Sequence, residues 1–135
     1  MKINDGMIIP GVGIGNIKLN ITREQLLDII ESDFKEQFLG TGSRIDVENA
    51  KFWIDVDNRL NQIGVQKDFS GKYKECIGIG STLQDVKDYI GDYIQVYDTY
   101  EVKNVKGMCF ELEDVDVWEE LTAPIEYIYV FRTDE

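Results

Sequence analysis

The segment from Gly107 to Phe131 constrains the fold more than any other part of the chain. Residues 108–112 alternate apolar and polar side chains with a period of two, which predicts a half-buried strand. Residues 125–131 form a second strand signal that is apolar on both faces. An acidic stretch around the lone Trp118 separates the two strands and is longer than a hairpin turn requires. The segment therefore predicts a long hairpin with an acidic loop.

Two helix starts lie sixty residues apart. Thr22 followed by Gln25, and Thr82 followed by Asp85, each have the spacing of a capping box. Apolar residues follow both starts at helical spacing. The first stripe continues to Phe38 at four-residue spacing, so this helix is predicted to run or kink up to the Gly40 stop signal.

Antiparallel strand signals follow each helix. Residues 44–47, 51–57 and 60–65 predict strands in the first half, and residues 93–100 precede the acidic hairpin in the second. The sequence therefore predicts one domain spanning 1–135, of α+β class. It would contain two helix-plus-antiparallel-strand repeats, at about 14–66 and 76–131, forming one sheet with the helices on one face. Chance similarity between two amphipathic helices is the alternative to duplication.

The charge balance limits the classes of partner. The chain has 26 acids and 14 bases, a net charge of −12. Phosphate backbones and anionic membrane surfaces would be repelled, which argues against nucleic-acid and membrane binding. A basic protein would be attracted and steered. The alternative is that the acidity only keeps the protein in solution.

Other sequence features argue against catalysis and metal binding. The chain has no His, which removes the most frequent general base and metal ligand. The acidic loop contains an Asp-x-Asp fragment from Asp114, but Glu119 stands where a calcium loop needs Gly. We therefore predict a protein that is not an enzyme and uses no metal or cofactor. Cys76 and Cys109 are predicted to be two buried thiols.

The N-terminal residues lack an apolar run of signal-peptide length, and no stretch approaches the ~18 apolar residues of a membrane span. These features favour a cytoplasmic protein.

Trp53 and Trp118 are the clearest candidate anchors for a protein partner. Each lies among acids, and an aromatic residue rimmed by polar ones is typical of a binding hot spot. The alternative is that each ring packs on its own core. Both the outward sheet face and the loop at 113–123 are candidate interfaces. The predicted partner-binding residues are Trp53, Asp55, Asp57, Glu111, Glu113, Asp114, Asp116, Trp118, Glu119 and Glu120.

The segments GNIKLNITREQLLDII and GIGSTLQDVKDYIG, each leading into strands, resemble the half-repeats of the beta-lactamase-inhibitor-protein-like architecture. That resemblance implies a sheet face that grips another protein. Small size, acidity and a two-part layout are also similar to bacterial immunity proteins, including those of contact-dependent growth inhibition. The paired cysteines of the secreted inhibitor are lacking, which favours a cytosolic partner over a beta-lactamase.

The resemblance to immunity proteins implies a non-enzymatic protein that covers the active site of a cognate, basic bacterial toxin, with a nuclease among the candidates. An acidic structural or protein-interaction domain is the first alternative. A hydrolase using Asp and Glu is the second.

Overall fold

The computed structural model describes residues 6–31 and 33–133. Within them the chain forms eleven strands and two helices. The strands are β1 Ile8–Ile9, β2 Gly13–Ile14, β3 Ile17–Lys18, β4 Lys35–Phe38, β5 Ser43–Asp46, β6 Ala50–Ile54, β7 Leu60–Val65, β8 Tyr93–Val96, β9 Thr99–Val102, β10 Met108–Leu112 and β11 Ile125–Phe131. The helices are α1 Arg23–Ile30 and α2 Leu83–Tyr89.

Eight strands form one antiparallel sheet in the order β4-β5-β6-β7-β11-β10-β9-β8. The two central strands, β7 and β11, pair through Ile128 with Val65 and Phe131 with Gln62. The strand predictions at 44–47, 51–57, 60–65, 108–112 and 125–131 are confirmed within two or three residues at their ends. Their alternating patterns specify one face for burial, which is why they can be recognised from sequence.

The prediction of an α+β fold built from two helix-plus-strand repeats is wrong. The described chain is mostly β, with 39% strand and only 12% helix. A separate sheet of β1, β2 and β3 precedes the first helix. The helices span eight and seven residues, so the strands rather than the helices dominate the architecture.

The first helix is also shorter than predicted. It ends at Ile30, where Glu31 adopts a left-handed conformation with φ 45°. Residues 35–38, expected to extend the helix through Phe38, instead form the edge strand β4. Phe38 is exposed there, so its four-residue spacing from Phe34 reflected no buried helical stripe.

Residues 93–100 form a hairpin rather than one strand. Strands β8 and β9 pair through Val96 and Thr99, and Tyr97 in the turn has φ 56°. A continuous β-type composition conceals a turn when no Gly or Pro marks it.

Both capping boxes are confirmed. The Thr22 hydroxyl accepts from the Gln25 amide at 3.1 Å, and the Thr82 hydroxyl accepts from the Asp85 amide at 3.2 Å. The helices bury Leu26 and Ile30, and Leu83 and Val86, respectively. Each cap satisfies backbone donors that a helix start leaves unpaired.

The core lies on one face of the large sheet. Its centre includes Phe52, Ile63, Phe110, Ile128 and Val130, all fully buried. The helices and the small sheet contribute further buried residues to the same hydrophobic cluster. Among the described residues, neither helix has the length and apolar composition needed to cross a membrane.

Candidate protein-binding surfaces

The second face of the large sheet carries half-buried side chains and is called the open face below. Strand register assigns it the residues that alternate with the core positions. Its central part consists of Lys51, Trp53, Gln62, Gly64, Cys109, Glu111, Tyr127, Tyr129 and Phe131. Except for Gly64, each of these is only partly buried, in contrast to the sealed core face.

Aromatic rings form a continuous row across the open face. The rings of Tyr127 and Tyr129 stack with centroids 5.6 Å apart and planes 10° apart. Tyr129 meets Trp53 edge to face at 6.0 Å. The Lys51 ammonium lies 5.6 Å from the centre of the Tyr127 ring. Such contacts hold the rings in defined positions, so the open face presents a stiff surface.

Gly64 leaves the space in which the Tyr129 and Trp53 rings meet. A Cβ at this position would lie 2.8 and 2.9 Å from two ring carbons of Tyr129 and 3.4 Å from the Trp53 ring. The two distances to Tyr129 are shorter than real Cβ contacts. The rings therefore cover a glycine that would otherwise expose backbone within the sheet, as in aromatic rescue of strand glycines.

Glu111 is tied into this row. Its carboxylate accepts a 2.7 Å hydrogen bond from the Tyr129 hydroxyl. Burial and this neighbouring carboxylate raise the pKa of Tyr129. Burial likewise raises the pKa of the adjacent Cys109 thiol to about 11, which keeps it a protonated, weakly reactive thiol at neutral pH.

Charge is divided across the open face. Its charged residues on β4, β5 and β6 are Lys35, Arg44, Asp46 and Lys51. Those on β9 and β10 are Glu101 and Glu111. One flank thus sums to +2 and the other to −2. On the central strands β7 and β11, the positions that pair with each other carry no charge, and the exposed Glu126 lies at the β10–β11 bulge.

The second candidate surface is the acid loop, residues 113–124, which joins β10 to β11. Glu120 accepts hydrogen bonds from Tyr93 at 2.6 Å and from Tyr100 at 3.4 Å. The Gln84 amide of α2 donates to the Leu121 carbonyl at 3.3 Å. Tyr100 pairs in register with Phe110 of the buried face, so the loop is anchored on the helix-covered side of the sheet.

The tip of the acid loop exposes apolar side chains. Val117 is 83% exposed and Trp118 is 46% exposed. The surrounding Asp114, Asp116 and Glu119 are exposed, and no cation of the described residues forms a salt bridge with them. About half of the Trp118 surface is therefore available to a partner, while the other half is covered by the protein itself.

The predicted site residues divide among several places. Trp53 and Glu111 lie on the open face. Asp55 accepts from the Asp57 amide at 2.9 Å in the β6–β7 turn and bridges to Arg132 at 3.3 Å. Those on or beside the acid loop are Glu113, Asp114, Asp116, Trp118, Glu119 and Glu120. Asp57 is exposed in the β6–β7 turn, and Glu120 is held by the hydroxyls of two tyrosines.

Sequence reasoning missed Tyr127, Tyr129, Lys51 and Arg44 as surface residues. Tyr127 and Tyr129 were assigned to a strand that is apolar on both faces, without a partner for the outer face. Two tyrosines at i and i+2 share a strand face, so this spacing was the available signal. Arg44 and Lys51 could be placed beside them only once the strand register was known.

The described residues contain no group of three or more His, Cys, Asp or Glu side chains that could hold a metal ion. The prediction of two buried thiols is wrong for Cys76, which is exposed, while Cys109 is half-buried. Cys76 follows the left-handed residues Lys74 and Glu75 in a turn, which places it outside the core.

Comparison with known proteins gives a likeness in fold. No protein-family model matches the chain, and no curated protein matches it. The crystal structure of the uncharacterized protein yfeY from Escherichia coli superposes with a TM-score of 0.56 at 13% sequence identity. The alignment covers 92% of this chain and 99% of that chain, so the likeness concerns the overall fold alone.

Proposed function

We propose that this chain is a non-enzymatic immunity protein that binds and neutralises a cognate, basic bacterial toxin through the tip of the acid loop. The observation that carries the proposal is the exposed Val117–Trp118 pair, surrounded by acids that form no salt bridge within the described structure. This arrangement supplies an apolar anchor and a charged rim at one protruding site.

Anchoring of the loop supports a binding role. Ala123 is buried, and Glu120 is held by two tyrosine hydroxyls. A preorganised loop loses less conformational freedom on association than a mobile one. The tip would enter a partner's cleft while its base remains attached to the sheet and α2.

The charge of this region indicates a positively charged partner. From Gly107 to Phe131 the chain contains seven acids, Glu111, Glu113, Asp114, Asp116, Glu119, Glu120 and Glu126, and no base. A partner whose active-site cleft carries Lys and Arg would be attracted to this region, and nuclease clefts have that character because they bind phosphates. The net charge of −12 adds long-range steering at low salt.

The function is proposed to require no chemistry by this chain. The proposed site of action is the cytoplasm. Inhibition would then result from covering the toxin's active site.

The test is coexpression with the product of each reading frame that flanks this gene, with toxicity, cell survival and binding kinetics as readouts. Trp118→Ala is expected to weaken binding by ~30-fold or more, the effect of losing a central aromatic anchor. Phe38→Ala is the matched control, because Phe38 is an aromatic residue 79% exposed on β4, at the opposite edge of the eight-stranded sheet from β8 and β9. It should protect cells like the parent.

The charge component has a separate test. The triple change Asp114→Asn, Asp116→Asn and Glu119→Gln should lower the association rate by ~10-fold and reduce its salt dependence. Equal protection and affinity in the parent, Trp118→Ala and the triple variant would rule out the loop tip as the toxin-binding site. Binding that is insensitive to salt would favour an interaction domain with a neutral partner.

A further inference from the structure

We infer that the open face is a docking surface for a second copy of this chain, which would form a face-to-face dimer about a twofold axis parallel to the strands. This inference is independent of the proposed toxin-binding role, because it concerns the opposite face of the sheet from the acid loop. It is based on the distribution of charge, the residues at the centre and the size of the face.

The charge distribution is self-complementary. Three cations and one acid lie on β4, β5 and β6, and two acids lie on β9 and β10. Arg44 is paired with Asp46 at 2.8 and 3.1 Å, so Lys35 and Lys51 supply the net positive charge of the first flank. These registered positions sum to zero in a chain whose net charge is −12. The remaining excess acid therefore lies elsewhere, so another acidic copy would meet little net repulsion across these positions.

The strand order determines what a twofold axis brings together. The order is β4-β5-β6-β7-β11-β10-β9-β8, so an axis along the boundary between β7 and β11 divides the sheet into equal halves. Rotation about it places β6 opposite the partner's β10 and β5 opposite the partner's β9. The positive flank of each copy then faces the negative flank of the other, as an isologous interface requires.

The residues near this axis are those that contribute most at interfaces. Trp53, Tyr127, Tyr129 and Phe131 lie on β6 and β11, beside the uncharged Gln62 of β7. Tyrosine and tryptophan are enriched at the centres of interfaces and charge is depleted there. Their ring contacts already hold them in position, so little side-chain freedom would be lost on docking.

The size of the face sets the expected affinity. Eight strands ~4.8 Å apart and about five residues long give a flat footprint of roughly 600 Å² per copy. Two copies would bury ~1,200 Å², at the lower end of specific interfaces. We therefore expect a dimer in the micromolar range. Its two acid loops would remain accessible because each is anchored on the helix-covered side of its sheet.

The experiment uses two charge-reversed variants and their mixture, measured by analytical ultracentrifugation over a concentration series near ~0.15 M salt, where the Debye length is ~8 Å. The first variant is Lys35→Glu with Lys51→Glu, which makes both flanks negative and keeps the Arg44–Asp46 ion pair. The second is Glu101→Lys with Glu111→Lys, which makes both flanks positive. Each alone should self-associate at least ~10-fold more weakly than the parent. The equimolar mixture should regain dimer, because opposite flanks then face each other.

The control is Lys87→Glu with Lys103→Glu, which makes the same charge change at exposed positions on α2 and after β9. It should dimerise like the parent. A parent that stays monomeric throughout the series would overturn the inference. So would variants that dimerise normally, or a mixture that fails to associate. Loss of toxin binding by the flank variants while the parent is monomeric would assign the open face to that partner instead.

Discussion

The open face and the acid loop present similar residue types in opposite ways. On the open face, Trp53 packs against Tyr129, and acids and bases balance. On the acid loop, Trp118 protrudes among acids with no base between Gly107 and Phe131. The two surfaces lie on opposite sides of one sheet, since Glu120 is held by tyrosines that lie on the helix-covered side. The net charge of −12 is therefore a property of particular regions rather than of the whole surface.

This difference separates structural from binding contributions. Residues of the open face have neighbours in the folded monomer, so changes there should alter stability. Exposed residues at the loop tip have few such neighbours, so changes there should alter association and leave stability almost unaffected. Four predictions follow this contrast in decreasing order of their expected effect on unfolding.

Gly64→Ala should have the largest effect. The added methyl group would meet the Tyr129 ring, and overpacking of this kind costs about 1–3 kcal/mol of unfolding free energy. Chemical denaturation of the variant measures it. In a Tyr129→Ala background the same change should be much milder, and an equal cost in both backgrounds would contradict the proposed contact.

Tyr93→Phe should have a smaller effect, about 1 kcal/mol, because it removes the shorter of the two hydrogen bonds that hold Glu120. The hydrogen bond to Glu120, followed by burial, raises the pKa of Tyr93 to about 12. The folded state therefore retains this proton more tightly than the unfolded state. The contribution of the Tyr93–Glu120 hydrogen bond to the free energy of unfolding should be present below pH 10. It should be lost as pH rises from about 10 to about 12.

The measurement is chemical denaturation of the parent and of Tyr93→Phe across that alkaline range, with tyrosinate absorbance recorded in parallel. It gives the difference in unfolding free energy between the two proteins at each pH. Hydrogen exchange in the acid loop should increase in the variant. Unchanged exchange would show that Glu120 does not restrain the loop.

Acid pH should distinguish a paired carboxylate from the exposed loop acids. Arg23 donates to Glu36 at 2.6 and 3.0 Å, and this interaction lowers the pKa of Glu36. Its stabilisation is present above the ordinary pKa of 4.5 and is lost as pH falls through the lowered folded value. Glu36→Gln should therefore cost up to ~1 kcal/mol at neutral pH and almost nothing in strong acid. A cost that does not change with pH would exclude the ion pair as its source.

Trp118→Ala should have the smallest effect on stability, within about 0.5 kcal/mol, because the ring is exposed at the loop tip. Thermal and chemical unfolding should be nearly unchanged. A loss above ~2 kcal/mol would mean that the ring packs into the structure as a core residue does.

The contrast also shows what sequence reasoning recovers. The alternation of Met108, Phe110 and Leu112 with polar residues indicates which face of the strand is buried, and the strand there is confirmed. The capping boxes are equally local and are also confirmed. The helix extension through Phe38 is wrong because four-residue spacing does not distinguish a helical stripe from exposed apolar residues on an edge strand.

The set of side chains that share the open face was harder to predict from the sequence, because it depends on pairing between strands that are distant in the sequence. Lys51 meets Tyr127, and Trp53 meets Tyr129, only through the pairing of β6, β7 and β11. Asp55 is a predicted partner-binding residue whose carboxylate also binds Arg132, seventy-seven residues away, a contact that only the folded chain reveals. The acid loop needed no such pairing, so its residues could be grouped from sequence alone.

The central position of β11 has a consequence for folding kinetics. Strands β4 to β7 follow one another directly and can pair as a meander, but the free edge of β7 must wait for Ile125–Phe131, about sixty residues later. Closing so long a loop slows folding, and the waiting edge is a template for wrong pairing. The rate of refolding should therefore be limited by the step that joins the two halves of the sheet. Refolding at high protein concentration should favour aggregation through the unpaired edge of β7.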